Sequence, residues 1–202
     1  MRRSEGTIRL LFAGAAASGR RTSLEALRGE VGSNEDGSLR GHFWPDVRRV
    51  VVRWHAVTGA RAPWSEPGTP MPLDSEESTE FFRCLDAVVF VVDPRRSRFA
   101  ANDEALDRLR RELHRAGRLE TEVPVVFQLN KLDLPLDAAG ATMFGLFTNR
   151  ELPAALLVRA PVAVLRQRLR WPRRDYVETI ASEGIGVVAV VEAALRLLRE
   201  HG

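Results

Sequence analysis

The chain has 202 residues, enough for one domain with a full core. Apolar residues make up 45% and charged residues 28%, a globular balance, and no apolar run approaches the roughly 20 residues that span a bilayer. The 30 basic and 27 acidic residues leave a net charge of +3. Arginine pairs such as Arg48-Arg49 and Arg173-Arg174 are dispersed among acids, which describes a solvated surface and not a clustered nucleic-acid groove. The N-terminus has no apolar signal-peptide core, so the expected location is cytoplasmic, without membrane insertion. The single cysteine, Cys84, excludes an internal disulfide and is expected to be buried as a small hydrophobe. The four histidines are scattered without ligand spacing, so no zinc site is expected.

In chain order, Thr7–Ala13 reads as a buried first strand ending in Gly14. A helix is expected over Thr22–Glu30, with Leu24 and Leu27 on one face, followed by a Gly/Ser/Asn/Asp loop over 31–41. Val50–Val57 is β-branched and reads as a strand. Residues 58–75 carry four prolines and two glycines, and regular structure is not expected there. Glu76–Leu85 reads as a short helix. The apolar run Asp86–Asp93 has the character of a central parallel strand covered on both faces. A helix is expected over Asp103–Ala116 with Asn102 as its N-cap and Leu106, Leu109 and Leu113 inward. Pro124–Leu129 is another buried strand, and 137–159 reads as an insertion. Pro161–Arg170 reads as a helix with Val162, Leu165 and Leu169 inward. Asp175–Ile180 is a last strand. Val187–Glu200 is an amphipathic closing helix, apolar at Val187, Val190, Val191, Ala194, Leu195 and Leu198. Strands alternating with helices imply a parallel sheet covered on both sides, with ligands at the strands' carboxyl ends.

Three loops at those ends carry chemistry. After the strand at 124–129 comes Asn130-Lys131-Leu132-Asp133. A carboxylate such as Asp133 can accept from the N1–H and N2–H2 edge of guanine, a donor pair that adenine lacks. The Asn130 amide can tie neighbouring loops together, and the Lys131 stem can lie along a base plane. Lys131 is the only lysine among the 30 basic residues. The second loop, Gly14-Ala15-Ala16-Ala17-Ser18-Gly19-Arg20-Arg21-Thr22, has the glycine spacing of a phosphate-binding turn at a helix N-terminus. That motif requires Lys and then Ser/Thr; here Arg20 and Arg21 stand in their places, and Thr22 comes one position late. Guanidinium is broad and planar where ammonium is a point charge, and a second cation replaces the hydroxyl that would hold magnesium.

These residues carry a resemblance. Asn130-Lys131-Leu132-Asp133-Leu134-Pro135 resembles the base-reading segment of Ras-like small GTPases of the Arf-like and bacterial gliding-motility (MglA-type) branches. Tyr176–Ala181 followed by Gly184-Ile185-Gly186-Val187 resembles their final base-binding loop, with Ala181 as its contact, and the motility branch fits best. The resemblance implies a three-layer α/β/α P-loop GTPase (Ras-like) domain, with a mostly parallel six-stranded sheet over the whole chain and an altered switch II-like loop at 60–75. In the family's third loop a glycine senses the γ-phosphate and a glutamine orients water; here Gly59 is present and Ala60 follows it. Residues 31–46 contain no threonine to close over a metal.

The implied function is that of a pseudo-GTPase. GTP or GDP would bind weakly or not at all, without magnesium and without a catalytic residue. The chain would act through a protein partner, a roadblock-type regulator or a related GTPase of polarity or motility machinery. The alternative is an active but slow GTP-binding switch whose partner supplies catalytic groups. A P-loop kinase would have no use for Asn130–Asp133, and no nucleic-acid partner is expected.

Overall fold

Two apolar runs form adjacent strands at the centre of the sheet. β1 (Thr7–Gly14) and β4 (Ala87–Val92) pair in parallel, Leu10 opposite Ala87 and Gly14 opposite Val91. β5 (Val125–Leu129) lies parallel on the far side of β4, and β6 (Arg174–Glu178) beyond it. On the other side of β1, β2 (Arg49–His55) and the two-residue β3 (Pro70–Met71) continue the parallel pairing, in the order β3-β2-β1-β4-β5-β6. The computed structural model describes residues 7–33, 38–39, 49–55, 70–71, 76–132 and 162–200, with backbone alone for 7, 49, 51–55, 70–71 and 76–78. The region 137–159 and most of 58–75 lie outside these residues.

Side chains alternate across a strand, so each central strand feeds two cores. On one face Leu10, Phe12, Val89, Val91 and Val126 pack under α1 (Arg20–Val31) and α5 (Val187–Arg199). On the other Leu11, Val88, Phe90, Phe127 and Leu129 pack under α2 (Glu76–Arg83), α3 (Phe99–Arg115) and α4 (Val162–Arg168). β4 and β5 are buried along their whole length, as a doubly covered strand requires. The six apolar positions expected to face inward on α5 are all buried. Leu165 and Leu169 are buried, and Val162 packs partly against the same core.

The structure corrects two local expectations. α3 begins at Phe99, behind a 3-10 turn at Arg96–Arg98, so Asn102 is not its N-cap. Asn102 is instead buried within the helix. Its Nδ2 donates to Asp93 O at 2.8 Å and its Oδ1 accepts from Asp93 N at 3.4 Å, which satisfies the backbone where β4 ends. Cys84 is half-buried and not fully buried, with its Sγ donating to Glu80 Oε1 at 3.5 Å. Within the 31–41 loop, buried Leu39 bridges antiparallel to both Ser33 and Val50. Among the described residues, no helix is long and apolar enough to cross a membrane.

Candidate functional site

The carboxyl ends of β1, β4 and β5 and the loop after β6 converge on one cluster. The glycine turn comes first. Gly14 leaves β1 at φ +138°, and a Cβ there would collide with the Val91 carbonyl of the adjacent strand. Gly19 opens α1 at φ +101°, and its Cβ would collide with Asn130 Nδ2. Ala17 between them is also left-handed, at φ +59°. Backbone of this kind, running into a helix N-terminus, is the geometry that turns N–H groups toward an anion. α1 has no acidic residue in its first turn and two arginines instead. These cations oppose the helix dipole, an arrangement that an anion at this end would relieve.

Asn130 bolts this turn to the base-side loops. Its Nδ2 donates to Ser18 O at 2.9 Å, and its Oδ1 accepts from Ala181 N at 3.0 Å and from Thr179 Oγ1 at 3.3 Å. The chain at Asn130 is buried, so each of these bonds replaces one that water would otherwise supply. Lys131 is held in a left-handed conformation at φ +60°, and its Nζ donates to Ala17 O and, at 3.0 Å, to Asp93 Oδ2. Asn130, Lys131 and Ala181 therefore meet Gly19 and the turn at 14–19. Asp133 and Gly59 lie outside the described residues.

Sequence reasoning overlooked the residues that hold this cluster. Asp93, buried at the end of β4, takes Arg95 Nε at 2.8 Å and Nη2 at 2.6 Å in addition to Lys131. Burial alone would raise its pKa, but the bonds from Arg95 and Lys131 outweigh it and hold the carboxyl below its ordinary value. Gln128, buried on β5, donates to Ser23 Oγ on α1 at 2.8 Å and to Thr179 Oγ1 at 3.0 Å. A signal for both was present: each is a lone polar residue at or inside an apolar strand run, and such residues must find partners.

The two arginines after Gly19 part ways. Arg20, at the lysine position, is buried, and its pKa is lowered to about 10, first by burial and then by Arg108 of α3. It remains a cation at neutral pH. Arg21, at the hydroxyl position, lies on the exposed side of α1, where its Nε meets Glu25 Oε1 at 2.7 Å one turn on. Thr22 is exposed. The donor set fits a purine nucleotide's base and phosphate regions: a left-handed glycine cradle, backbone N–H groups, and Asn130 and Lys131 at the base side. At the position where the motif calls for a magnesium-holding hydroxyl, Arg21 offers no oxygen.

No protein-family model matches the chain. Over 80 residues it is 38% identical to the mutual gliding-motility protein MglA of Myxococcus xanthus (strain DK1622), a stretch covering 40% of this chain and 40% of that protein. With the parallel sheet flanked by helices, this partial similarity is consistent with a P-loop GTPase-like fold.

Proposed function

We propose that the chain is an MglA-type, Ras-like pseudo-GTPase on a six-stranded three-layer domain. It binds guanine nucleotide weakly or not at all, does not turn it over, and acts by contact with a protein partner in bacterial polarity or motility. The partner class, a roadblock-type regulator or a related GTPase, belongs to this proposal. One observation carries the reading: at the residue that should give magnesium a hydroxyl, the chain places the Arg21 guanidinium, paired with Glu25 on the solvent side of α1. Phosphoryl transfer is almost wholly positioning and charge stabilisation, and the metal supplies much of both. Each lost charged hydrogen bond costs roughly 1.5–3 kcal/mol, roughly tenfold or more in affinity.

The base side supports a nucleotide-binding origin. Asn130 is engaged with Ala181 and the glycine turn in the way a purine pocket needs its walls held. The decisive experiment identifies any nucleotide released on denaturing the purified protein, then titrates GDP and GTP with and without magnesium. The expected result is micromolar or weaker affinity that magnesium does not improve. Single-turnover hydrolysis is expected to stay at background. Magnesium-dependent turnover well above background would overturn the proposal in favour of a slow switch. An Asp133→Ala variant is expected to lose whatever preference for guanine over adenine the wild type has.

A further inference from the structure

Three successive carbonyls of the glycine turn are each held by a side chain from another element. Ala16 O accepts from Arg98 Nη2 at 2.5 Å, Ala17 O from Lys131 Nζ, and Ser18 O from Asn130 Nδ2 at 2.9 Å. In a trans peptide the C=O and the following N–H lie in one plane and point opposite ways. Fixing a carbonyl therefore fixes the next residue's N–H on the far side of the turn. The middle peptide is spent internally, because Ser18 N–H donates to Ala15 O at 3.2 Å. The outer two are not. Among the described residues, no hydrogen bond takes the N–H of Ala17 or of Gly19. Both residues are left-handed, at φ +59° and +101°, and residues of this kind gather successive N–H groups into an anion-binding concavity. Asn130 orients the Gly19 N–H, and Arg98 orients the Ala17 N–H.

We propose that Arg98 is a positioning residue for anion binding at the glycine turn: its bond to Ala16 O holds the Ala17 N–H toward the place of a phosphate group. Arg98 does not itself touch the anion. It ends the 3-10 turn after β4 and reaches the glycine turn from the α3 side, whereas Asn130 and Lys131 reach it from β5. Stability alone is a poor reason for this placement. Arg98 Nε is buried without a hydrogen-bond partner, and an unmet buried donor costs about as much as one bond to a carbonyl returns. The inference rests on the reading of the 14–19 turn as a phosphate cradle, and adds to it a residue that lies outside the motif.

The test uses the whole chain without magnesium and two probes, pyrophosphate for the turn and guanosine for the base side, followed by amide chemical shifts. Pyrophosphate is expected to move the Ala17 and Gly19 amides of the wild type most. Arg98→Met keeps the apolar stem and removes the donor. It is expected to weaken pyrophosphate about tenfold, to quiet the Ala17 response, and to leave guanosine affinity and the urea midpoint nearly unchanged. Arg96→Met removes the same charge from an exposed position of the same 3-10 turn and is expected to leave pyrophosphate affinity close to wild type. Wild-type affinity in Arg98→Met would overturn the inference while leaving the cradle reading intact. Equal losses in the two variants would overturn it in favour of general charge. A lowered urea midpoint with both probes weakened together would make Arg98 a structural tie and nothing more. Absence of saturable pyrophosphate binding by the wild type would overturn the inference and the cradle reading at once.

Discussion

Gly19 is where backbone strain and site geometry meet in one residue. Its φ of +101° disfavours any side chain, and the space a Cβ would need is held by Asn130 Nδ2. Gly19→Ala therefore pays twice, in left-handed strain and in displacing the amide that bonds Ser18 O. A loss of about 2–4 kcal/mol is expected by urea denaturation. Asn130→Ala should cost a similar amount by a different route. It leaves Ala181 N–H and the Ser18 carbonyl without their partner and creates no backbone strain. If the two positions are coupled as the geometry requires, the double variant loses less than the sum of the singles. Full additivity would mean that the glycine and the amide do not share one constraint.

At the scale of elements, α1 offers the opposite substitution. Gly29 sits inside the helix with open space where a Cβ would go. Gly29→Ala is expected to stabilise the protein by about 0.5–1 kcal/mol, because it removes backbone freedom from the unfolded chain at no steric cost. The same measurement in the same buffer separates this glycine, which only weakens a helix, from Gly19, which the site demands. Elements were legible in the sequence where one physical signal dominated. The unbroken apolar runs gave β4 and β5, and the i, i+3, i+4 spacing gave α3 and α5 their buried faces. Ends were less legible. α3 starts three residues before Asn102 because that side chain answers a tertiary demand, the open backbone at Asp93, which local capping preference does not encode. α1 starts at Arg20, two residues before the expected Thr22, because Gly19 and the turn set its first residue. In the candidate site, the fold brings together Gly14, Gly19, Asn130, Lys131 and Ala181, which carry the motif spacing. Asp93 and Gln128 stood out only as lone polar residues; their bonds to Lys131, Ser23 and Thr179 were not legible, because those partners lie dozens of residues away and only the sheet order brings them together.

For the molecule as a whole, Asp93 is a buried point where separate segments are fastened by charge. Its carboxylate joins the end of β4 to Lys131 after β5, and Lys131 in turn holds Ala17 in the glycine turn. Its pKa lies below the ordinary 3.8, so the folded state binds its proton less readily than the unfolded chain does. The stabilisation is therefore complete above the unfolded value and is lost as pH falls below 3.8 toward the folded value. Removing the charge should remove that part of the acid limb. Asp93→Asn keeps the shape but gives up the charge in three bonds, two from Arg95 and one from Lys131, and should lower stability at neutral pH by about 2–4 kcal/mol. Denaturation midpoints followed from neutral pH down through the acid range should show the gap between wild type and variant closing as the wild-type carboxyl protonates. A gap that stays constant through the acid range would mean that Asp93 holds the loops by shape and not by charge. The Asn130 amide on Ser18 O and the Lys131 ammonium on Ala17 O would then hold these loops together at acid pH as well as at neutral pH.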